Sequence, residues 1–198
     1  MSKAWIALGS NLGDRADLLA RAVTLLAESG VTPLAVSHLY ETVPEGGREE
    51  PLYLNAVLQA ESDLTARELL ELLLQIERRL GRSQDRSGPR TCDLDLLAVD
   101  DVTIDEPGLT LPHPRLHQRA FVLVPLCELD PNWRPPGAQE SVAELLAALV
   151  VVPGATRLYG PLELAEPVAN TYPWRHRAGA QNRKENGDRV DVGRGSRL

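Results

Sequence analysis

The residue pattern with the clearest chemical meaning is a pair of aspartates, Asp93 and Asp95, in the sequence RTCDLDLL. Side chains alternate along a β-strand, so these two project from one face, while Cys92, Leu94 and Leu96 project into the core from the other. Two neighbouring carboxylates repel each other, which favours a bound cation, and Mg²⁺ is the hard ion that prefers oxygen ligands. The pattern alone is more often that of two harmless acids on a solvent-facing strand, and the arginines nearby are what favour a functional site.

Arginine is concentrated in the same part of the chain. Five arginines bracket two polar segments, the second of which also contains His113: Arg82, Arg86, Arg90, Arg115 and Arg119. A guanidinium group binds phosphate oxygens through parallel N–H groups, so the set indicates an anion site, although solvated surface arginines would give the same pattern. The sequence has no Walker-type phosphate loop, and its GSNLG turn resembles a phosphate-binding loop only loosely.

A second pattern suits a flat heterocyclic ligand. Tyr53 and Asn55 share one face of a predicted strand, and Thr42 and Pro44 border the same hairpin. An aromatic ring beside an amide can stack on a heterocycle and hydrogen-bond its edge, although tyrosine on strands is common. Glu77, by contrast, reads from its position late in a helix as an ordinary exposed acid.

The elements that must position these residues follow from periodicity and turn signals. Strands are predicted at residues 5–8, 31–43, 53–61 and 91–99, and helices at residues 15–28, 65–80 and 141–151, the last two opened by the capping boxes TARE and SVAE. Residues 112–119 read as a loop or short helix before an apolar segment at 121–129. The order strand, helix, strand, strand, helix, strand predicts an α/β (α+β) fold: a ferredoxin-like split β-α-β sandwich, with helices packed on a mostly antiparallel sheet.

Composition limits the possible classes of protein. The 198 residues are 43% hydrophobic, which suits one globular domain at residues 1–160 followed by a C-terminal extension at 161–198. The extension is expected to be disordered from about residue 171, where seven Arg and Lys accompany three Asp and Glu. The remainder carries 14 basic and 25 acidic residues, which argues against a nucleic-acid partner. With no long apolar run and only two cysteines, we expect a monomeric cytoplasmic protein without a membrane partner.

Six segments carry a resemblance to a known family: IALGSNLGDR, LYETVPEG, YLNAV, IERRLGR, GPRTCDLDLL and LPHPRLHQRAFVLVPL. In this order and spacing, over residues 4–131, they resemble the 6-hydroxymethyl-7,8-dihydropterin pyrophosphokinases of folate biosynthesis. The resemblance implies the ferredoxin-like fold, with ATP and 6-hydroxymethyl-7,8-dihydropterin as ligands. It also implies attack of the pterin hydroxymethyl oxygen on the β-phosphorus of ATP, giving the pterin diphosphate and AMP.

The resemblance also implies a role for each matching residue. Asp93 and Asp95 would bind two Mg²⁺ ions that bridge the ATP phosphates, and Arg82 and Arg90 would complete the catalytic set. The implied ATP-binding residues are Glu77, Arg82, Arg90, Thr110, His113 and Arg119. The implied pterin-binding residues are Thr42, Val43, Pro44, Tyr53, Asn55 and Phe121, with Phe121 as a stacking ring. Where well-known members have a tryptophan before Gly-Pro-Arg, this chain has Ser87.

Two other functions fit parts of the sequence. A two-metal nucleotidyltransferase also uses paired strand aspartates, but the acidic body disfavours a polynucleotide and the Tyr53–Asn55 pair favours a small heterocycle. A non-catalytic ferredoxin-like module could bind a small ligand, but it would have no need for Asp93, Asp95 and their neighbouring arginines together.

Overall fold

An antiparallel β-sheet forms the centre of the molecule in a computed structural model, which describes residues 1–44, 50–82, 90–149 and 155–164. Its strands are β1 (Ser2–Ser10), β2 (Thr32–Val36), β3 (Leu39–Thr42), β4 (Tyr53–Ser62), β5 (Asp93–Val99) and β8 (Thr156–Gly160). A separate hairpin is formed by β6 (Ile104–Glu106) and β7 (Leu109–Leu111). The order across the main sheet is β5-β1-β4-β3-β8, and β2 also pairs with β4.

This strand order confirms the predicted fold class. The four predicted strands correspond to β1, to β2 with β3, to β4 and to β5, and every pair within the sheet is antiparallel. Strand β4 lies between β1 and the β2–β3 segment, which is the arrangement of a split β-α-β unit. The edge strand β8 and the β6–β7 hairpin are additions that the sequence patterns did not predict.

Three of the four helices in the described residues begin at a side-chain cap. They are α1 (Arg15–Glu28), α2 (Ala66–Arg79), α3 (Ala120–Leu129) and α4 (Val142–Ala148), with a 3-10 turn at Leu116–Gln118. Asp14 accepts the Asp17 N–H ahead of α1, and Thr65 and Ser141 form the two predicted capping boxes ahead of α2 and α4. The apolar segment at 121–129 is therefore a helix, and α4 ends before the predicted residue 151.

The prediction of one continuous strand at residues 31–43 is wrong, because the chain is interrupted at Ser37. The Ser37 N–H donates to the Val57 carbonyl at 3.0 Å, while the Ser37 hydroxyl accepts the Val57 N–H, also at 3.0 Å. The same hydroxyl donates to the His38 carbonyl at 2.8 Å. A side-chain oxygen therefore replaces a backbone carbonyl in the ladder, so β2 ends and β3 begins here.

Helices cover both faces of the sheet, so the fold has three layers. On one face Ile6, Leu8 and Leu54 pack with the buried residues of α1 and α2. On the other face Val57 and Leu97 pack with the apolar side of α3 and with α4. Each leucine fully buried in this way stabilises the fold by about 1.5–3 kcal/mol.

The described chain continues past the predicted domain boundary at residue 160. Leu162 is buried and Leu164 packs against the core that α1 and α2 cover. Residues 165–198, which hold most of the predicted extension, lie outside the described residues, as does the predicted polar loop at 83–89 with Ser87. Within the four described ranges, no helix has the length and apolar composition needed to cross a membrane.

Candidate active site

A cleft of about 530 Å³ opens on the sheet face that carries α3, where two strands change from apolar to polar side chains. On β4, Val57 is buried under α3, and Asn55 and Tyr53 are its neighbours on the same face. On β5, Leu97 is buried in that core, and Asp95 and Asp93 precede it. Because strand side chains alternate with a period of two, the cleft is the polar continuation of the core.

Strand β1, which lies between β4 and β5, carries a glycine at the cleft. Gly9 of β1 pairs with Asn55 on one side and with Asp93 on the other. A Cβ atom at Gly9 would lie 3.2 Å from Asn55 Oδ1 and 3.7 Å from the Asp93 Cβ. The first distance is tighter than an ordinary van der Waals contact, so glycine allows the amide and the carboxylate to approach each other across β1.

Both aspartates are paired with arginines. Asp93 Oδ1 lies 2.8 Å from Arg82 Nη1, and Asp93 Oδ2 lies 2.5 Å from Arg90 Nη1. Asp95 Oδ2 lies 3.2 Å from Nη1 of Arg119, the residue immediately before α3. The positive charge that the aspartate pair favours is therefore supplied, in this structure, by guanidinium groups.

Glu77 is not the exposed helix acid that its position suggested. Its side chain is 3% exposed and lies on the buried side of α2, four residues after the buried Leu73. Glu77 Oε1 accepts the Leu94 N–H at 2.8 Å and contacts Arg82. Arg82 also pairs with Asp93, so it links the two carboxylates. Burial raises the pKa of Glu77 to about 7, although the bonds from Leu94 and Arg82 oppose this shift. The helical spacing from Leu73 was the signal that could have revealed its burial.

The other half of the cleft is aromatic. Tyr53 and Phe121 both line it, and the Arg119 guanidinium lies 5.3 Å from the centroid of the Phe121 ring. The Asn55 Nδ2 group donates to Thr42 Oγ1 at 2.7 Å, which fixes the orientation of the amide. Burial raises the pKa of the Tyr53 hydroxyl above its ordinary value of 10. This half can hold a flat ring and hydrogen-bond its edge.

Four residues of the predicted nucleotide set do not line the cleft: Glu77 and Arg82, described above, and His113 and Thr110. The His113 N–H donates to the Leu97 carbonyl at 2.8 Å, and its Nδ1 accepts the Arg115 N–H at 3.2 Å, so the neutral ring carries its proton on Nε2. Burial lowers the pKa of His113, although Asp95 opposes this shift. Thr110 lies on β7, with its hydroxyl 3.5 Å from Asp105 Oδ1.

The comparison with protein families identifies the chain. Residues 5–131 match the family model described as 7,8-dihydro-6-hydroxymethylpterin-pyrophosphokinase. This chain belongs to that pyrophosphokinase family. It is 47% identical over 128 residues to 2-amino-4-hydroxy-6-hydroxymethyldihydropteridine pyrophosphokinase of Bacillus subtilis, covering 64% of this chain and 77% of the relative. The pyrophosphokinase of Methylorubrum extorquens is 43% identical over 151 residues, covering 75% of this chain and 94% of the relative.

Solved structures support the fold of a pyrophosphokinase domain. The HPPK-DHPS protein of Plasmodium falciparum, wild type, aligns with a TM-score of 0.61 at 15% identity, covering 74% of this chain and 44% of that chain. Its A437G form with SDX-DHP gives a TM-score of 0.60 at 16% identity, covering 74% and 45%. The chain thus spans less than half the length of these structures, and at this identity the likeness concerns the fold alone.

The structure brings most of the predicted pyrophosphokinase site together. The six predicted pterin-binding residues line the cleft, as do Arg90, Asp93, Asp95 and Arg119. Arg82 reaches Asp93 from beside the cleft. The cleft also contains Arg115, which the sequence analysis placed only in the arginine cluster, and Gly9 and Glu50, which it assigned to no ligand. Only Arg115 had a sequence signal, as one member of the arginine cluster. The role of each residue stays a prediction.

Proposed function

We infer that this pyrophosphokinase transfers the β,γ-diphosphoryl group of ATP to the hydroxymethyl oxygen of 6-hydroxymethyl-7,8-dihydropterin, a step of folate biosynthesis. The oxygen–β-phosphorus bond forms as the bond between the β-phosphorus and the α-phosphate oxygen breaks, AMP leaves, and the hydroxymethyl proton passes to water. The observation that carries this inference is a single cleft with an aromatic and amide half beside a half made of aspartates and arginines. Family membership and the names of the relatives support the same reaction.

The aromatic half is proposed to bind the pterin. Tyr53 and Phe121 would contact the faces of the bicyclic ring, and Asn55 would hydrogen-bond its polar edge. The Thr42 hydroxyl holds the Asn55 amide in place, so little side-chain entropy is lost when the ligand binds. Val43 and Pro44, which follow β3, would close the side of the ring site.

The donor atoms of the other half suit Mg²⁺. Asp93 and Asp95 both line the cleft, and among the described residues no cluster of three or more His, Cys, Asp or Glu side chains could hold a metal ion by itself. A Mg²⁺ ion commonly has one or two protein carboxylates and completes its shell with water and substrate phosphates. Two Mg²⁺ ions held by these aspartates together with ATP therefore fit the residues present. When bound, they would neutralise charge on the phosphate oxygens.

The arginines are proposed to exchange partners when ATP binds. Arg82, Arg90 and Arg119 contact aspartate carboxylates in this structure, and a guanidinium group that binds a carboxylate also suits phosphate oxygens. Arg82 and Arg90 would stabilise charge that develops as AMP leaves, and Arg119 would hold the nucleotide beside the first turn of α3, where the helix dipole also favours an anion. Glu77, Thr110 and His113 do not line this cleft, and their roles in nucleotide binding stay proposals.

The test is product analysis with the purified chain, ATP, Mg²⁺ and 6-hydroxymethyl-7,8-dihydropterin. AMP and the pterin diphosphate in equal amounts are the expected products. Release of pyrophosphate with a nucleotidylated product would instead identify a nucleotidyltransferase. Tight pterin binding by calorimetry, with the ATP unchanged, would identify a binding module, and either result would refute the proposed reaction.

A further inference from the structure

Asn11, in the GSNLG turn after β1, has no part in the chemistry proposed above, although its side chain is almost fully buried. It is 2% exposed. A buried amide side chain is destabilising unless its donors and acceptors are hydrogen-bonded, so its partners show which parts of the fold it connects.

Asn11 forms a reciprocal pair of bonds with the backbone of Arg90. The Asn11 N–H donates to the Arg90 carbonyl at 3.0 Å, and the Arg90 N–H donates to Asn11 Oδ1 at 2.5 Å. These bonds lie just beyond the last paired residues of the β1–β5 ladder, Gly9 and Asp93. They extend that ladder with a side-chain oxygen in place of a backbone carbonyl, and so fix the backbone from which the Arg90 side chain reaches Asp93.

The other end of the same amide reaches the opposite wall of the cleft. Asn11 Nδ2 donates to the Pro51 carbonyl at 3.3 Å. Pro51 lies between Glu50 and Tyr53 in the sequence, and Glu50 and Tyr53 both line the cleft. The Tyr53 hydroxyl also donates to Glu50 Oε2 at 3.4 Å. A single buried side chain therefore connects the arginine wall to the wall proposed to bind the pterin.

We propose that Asn11 is a positioning residue that sets Arg90 and the Glu50–Tyr53 wall at a fixed separation, so that the two substrates are aligned for transfer. The inference rests on the proposed function for its kinetic consequences. Alignment of two bound reactants contributes strongly to rate, and small displacements of the aligned groups lower it. An amide is required here because one side chain must both accept from Arg90 and donate to Pro51.

Two substitutions separate the two ends of the amide. Asn11→Asp keeps an acceptor for the Arg90 N–H but places an oxygen against the Pro51 carbonyl, so the KM for the pterin should rise about tenfold with kcat within about threefold. Asn11→Ala removes both side-chain bonds, so kcat should also fall at least about tenfold. Asn132→Ala, at an exposed asparagine after α3, is the matched control and should behave as the wild type. Melting temperatures of all three variants show whether they fold.

An Arg90→Ala background tests whether Asn11 acts through the guanidinium group. That substitution keeps the backbone groups that Asn11 bonds, so Asn11→Ala should now change kcat less than about twofold, while its effect on the pterin KM persists. A tenfold loss of kcat in both backgrounds would overturn the proposal, because it would indicate a general structural role.

Amide hydrogen exchange measured by NMR gives a readout that needs no activity. Exchange of the Arg90 amide should accelerate at least about tenfold in Asn11→Ala and stay close to the wild-type rate in Asn11→Asp. An unchanged Arg90 exchange rate in Asn11→Ala would overturn the inference even in a fully active enzyme. A wild-type protein that forms no AMP would instead refute the proposed function alone.

Discussion

The ion pairs between aspartates and arginines in the cleft determine how readily these side chains can exchange their present partners for a substrate or a metal ion. The side chains of Asp93 and Asp95 are 20% and 36% exposed, so their pairs with arginine keep part of their hydration. The partner arginines are only 8–30% exposed, so forming each pair also removes water from both charges, which offsets much of their attraction. A triphosphate or a divalent cation can therefore replace the paired groups with little loss of free energy. In the ligand-free protein, the same pairs reduce the repulsion between the two aspartates.

The aspartates give the first prediction at this scale. Asp93→Asn and Asp95→Asn keep the shape of each side chain but remove the charge proposed to hold Mg²⁺. AMP formation at saturating Mg²⁺ should fall by two or more orders of magnitude, with the melting temperature nearly unchanged because both side chains face the cleft. Asp101→Asn, an exposed acid just beyond β5, is the control. Near-normal turnover in either cleft variant would contradict the metal assignment.

Glu77 gives a prediction about pH. Because burial raises its pKa from 4.5 to about 7, the folded protein binds a proton that the unfolded chain releases between these values. The free energy of unfolding should therefore fall by about 2–3 kcal/mol as the pH rises through this window, and this loss should be absent from Glu77→Gln. Urea unfolding at pH 5 and pH 8 measures the difference.

The exposed Glu71 on the same helix supplies the control for that measurement. Glu71→Gln should keep the wild-type dependence on pH, because it removes an equal charge from the same helix but leaves the buried Glu77 in place. Equal pH dependence in wild type and Glu77→Gln would show that Glu77 remains ionised beside Arg82 throughout the range.

Among the elements, β8 has the least obvious role, because it is an edge strand far from the aspartates. It pairs with β3 in register, with Thr156 opposite Thr42, and the Val43 N–H donates to the Ala155 carbonyl at 3.2 Å. Thr42 and Val43 belong to the proposed pterin site. We therefore interpret β8 as the support that fixes the end of β3 at the cleft.

Glu41 of β3 connects that strand to β8 and gives the third prediction. Its carboxylate is 6% exposed and contacts Arg157 of β8 and Arg15 of α1, at 3.0 Å for the latter. Glu41→Gln should lower the melting temperature by about 2–4 °C, equivalent to about 1 kcal/mol, and raise the KM for the pterin. Glu106→Gln breaks an exposed pair with Arg67 and should change neither quantity measurably.

The contact between Glu41 and Arg157 should also affect how the free energy of unfolding depends on pH. The hydrogen bond from Arg157 is the main cause that lowers the Glu41 pKa below 4.5, with further support from Arg15. Its stabilisation is fully present above pH 4.5 and is lost as the pH falls through the lower folded-state value. Wild type and Glu41→Gln should therefore converge in stability under acid conditions. A constant difference between them would contradict this account of the carboxylate.

The sequence predicted those elements whose signals are local. The capping boxes at Thr65 and Ser141 appear within four consecutive residues, and the Asp93–Asp95 spacing fixes a shared face whatever lies nearby. The break at Ser37 depends on Val57 of the neighbouring strand, and β8 depends on pairing with β3. Such long-range pairings leave no periodic pattern in the sequence, and for the same reason the link from Asn11 to Arg90 was not predicted.

For the whole molecule, the three-layer arrangement explains why the cleft can be polar without weakening the fold. One face of the sheet is covered along its length by α1 and α2, whereas the other is covered by α3 only up to Phe121, where the cleft begins. The core therefore supplies stability, and the uncovered ends of β4 and β5 supply the site. Any segment that adds neither core nor cleft residues should be dispensable.

The C-terminal extension tests that expectation. Residues 171–198 carry seven Arg and Lys with three Asp and Glu, and almost no apolar side chains after Trp174, so they offer little surface to bury against the entropy of ordering. Truncation after Asn170 should leave the melting temperature within about 1 °C and both substrate affinities unchanged. Truncation after Gly154 is the matched comparison, because it removes β8, the Glu41–Arg157 contact and Leu162, and it should lower the melting temperature by more than about 4 °C. If truncation after Asn170 lowers the melting temperature by several degrees, or clearly weakens ATP binding, then the basic extension packs on the acidic domain and contributes to the site.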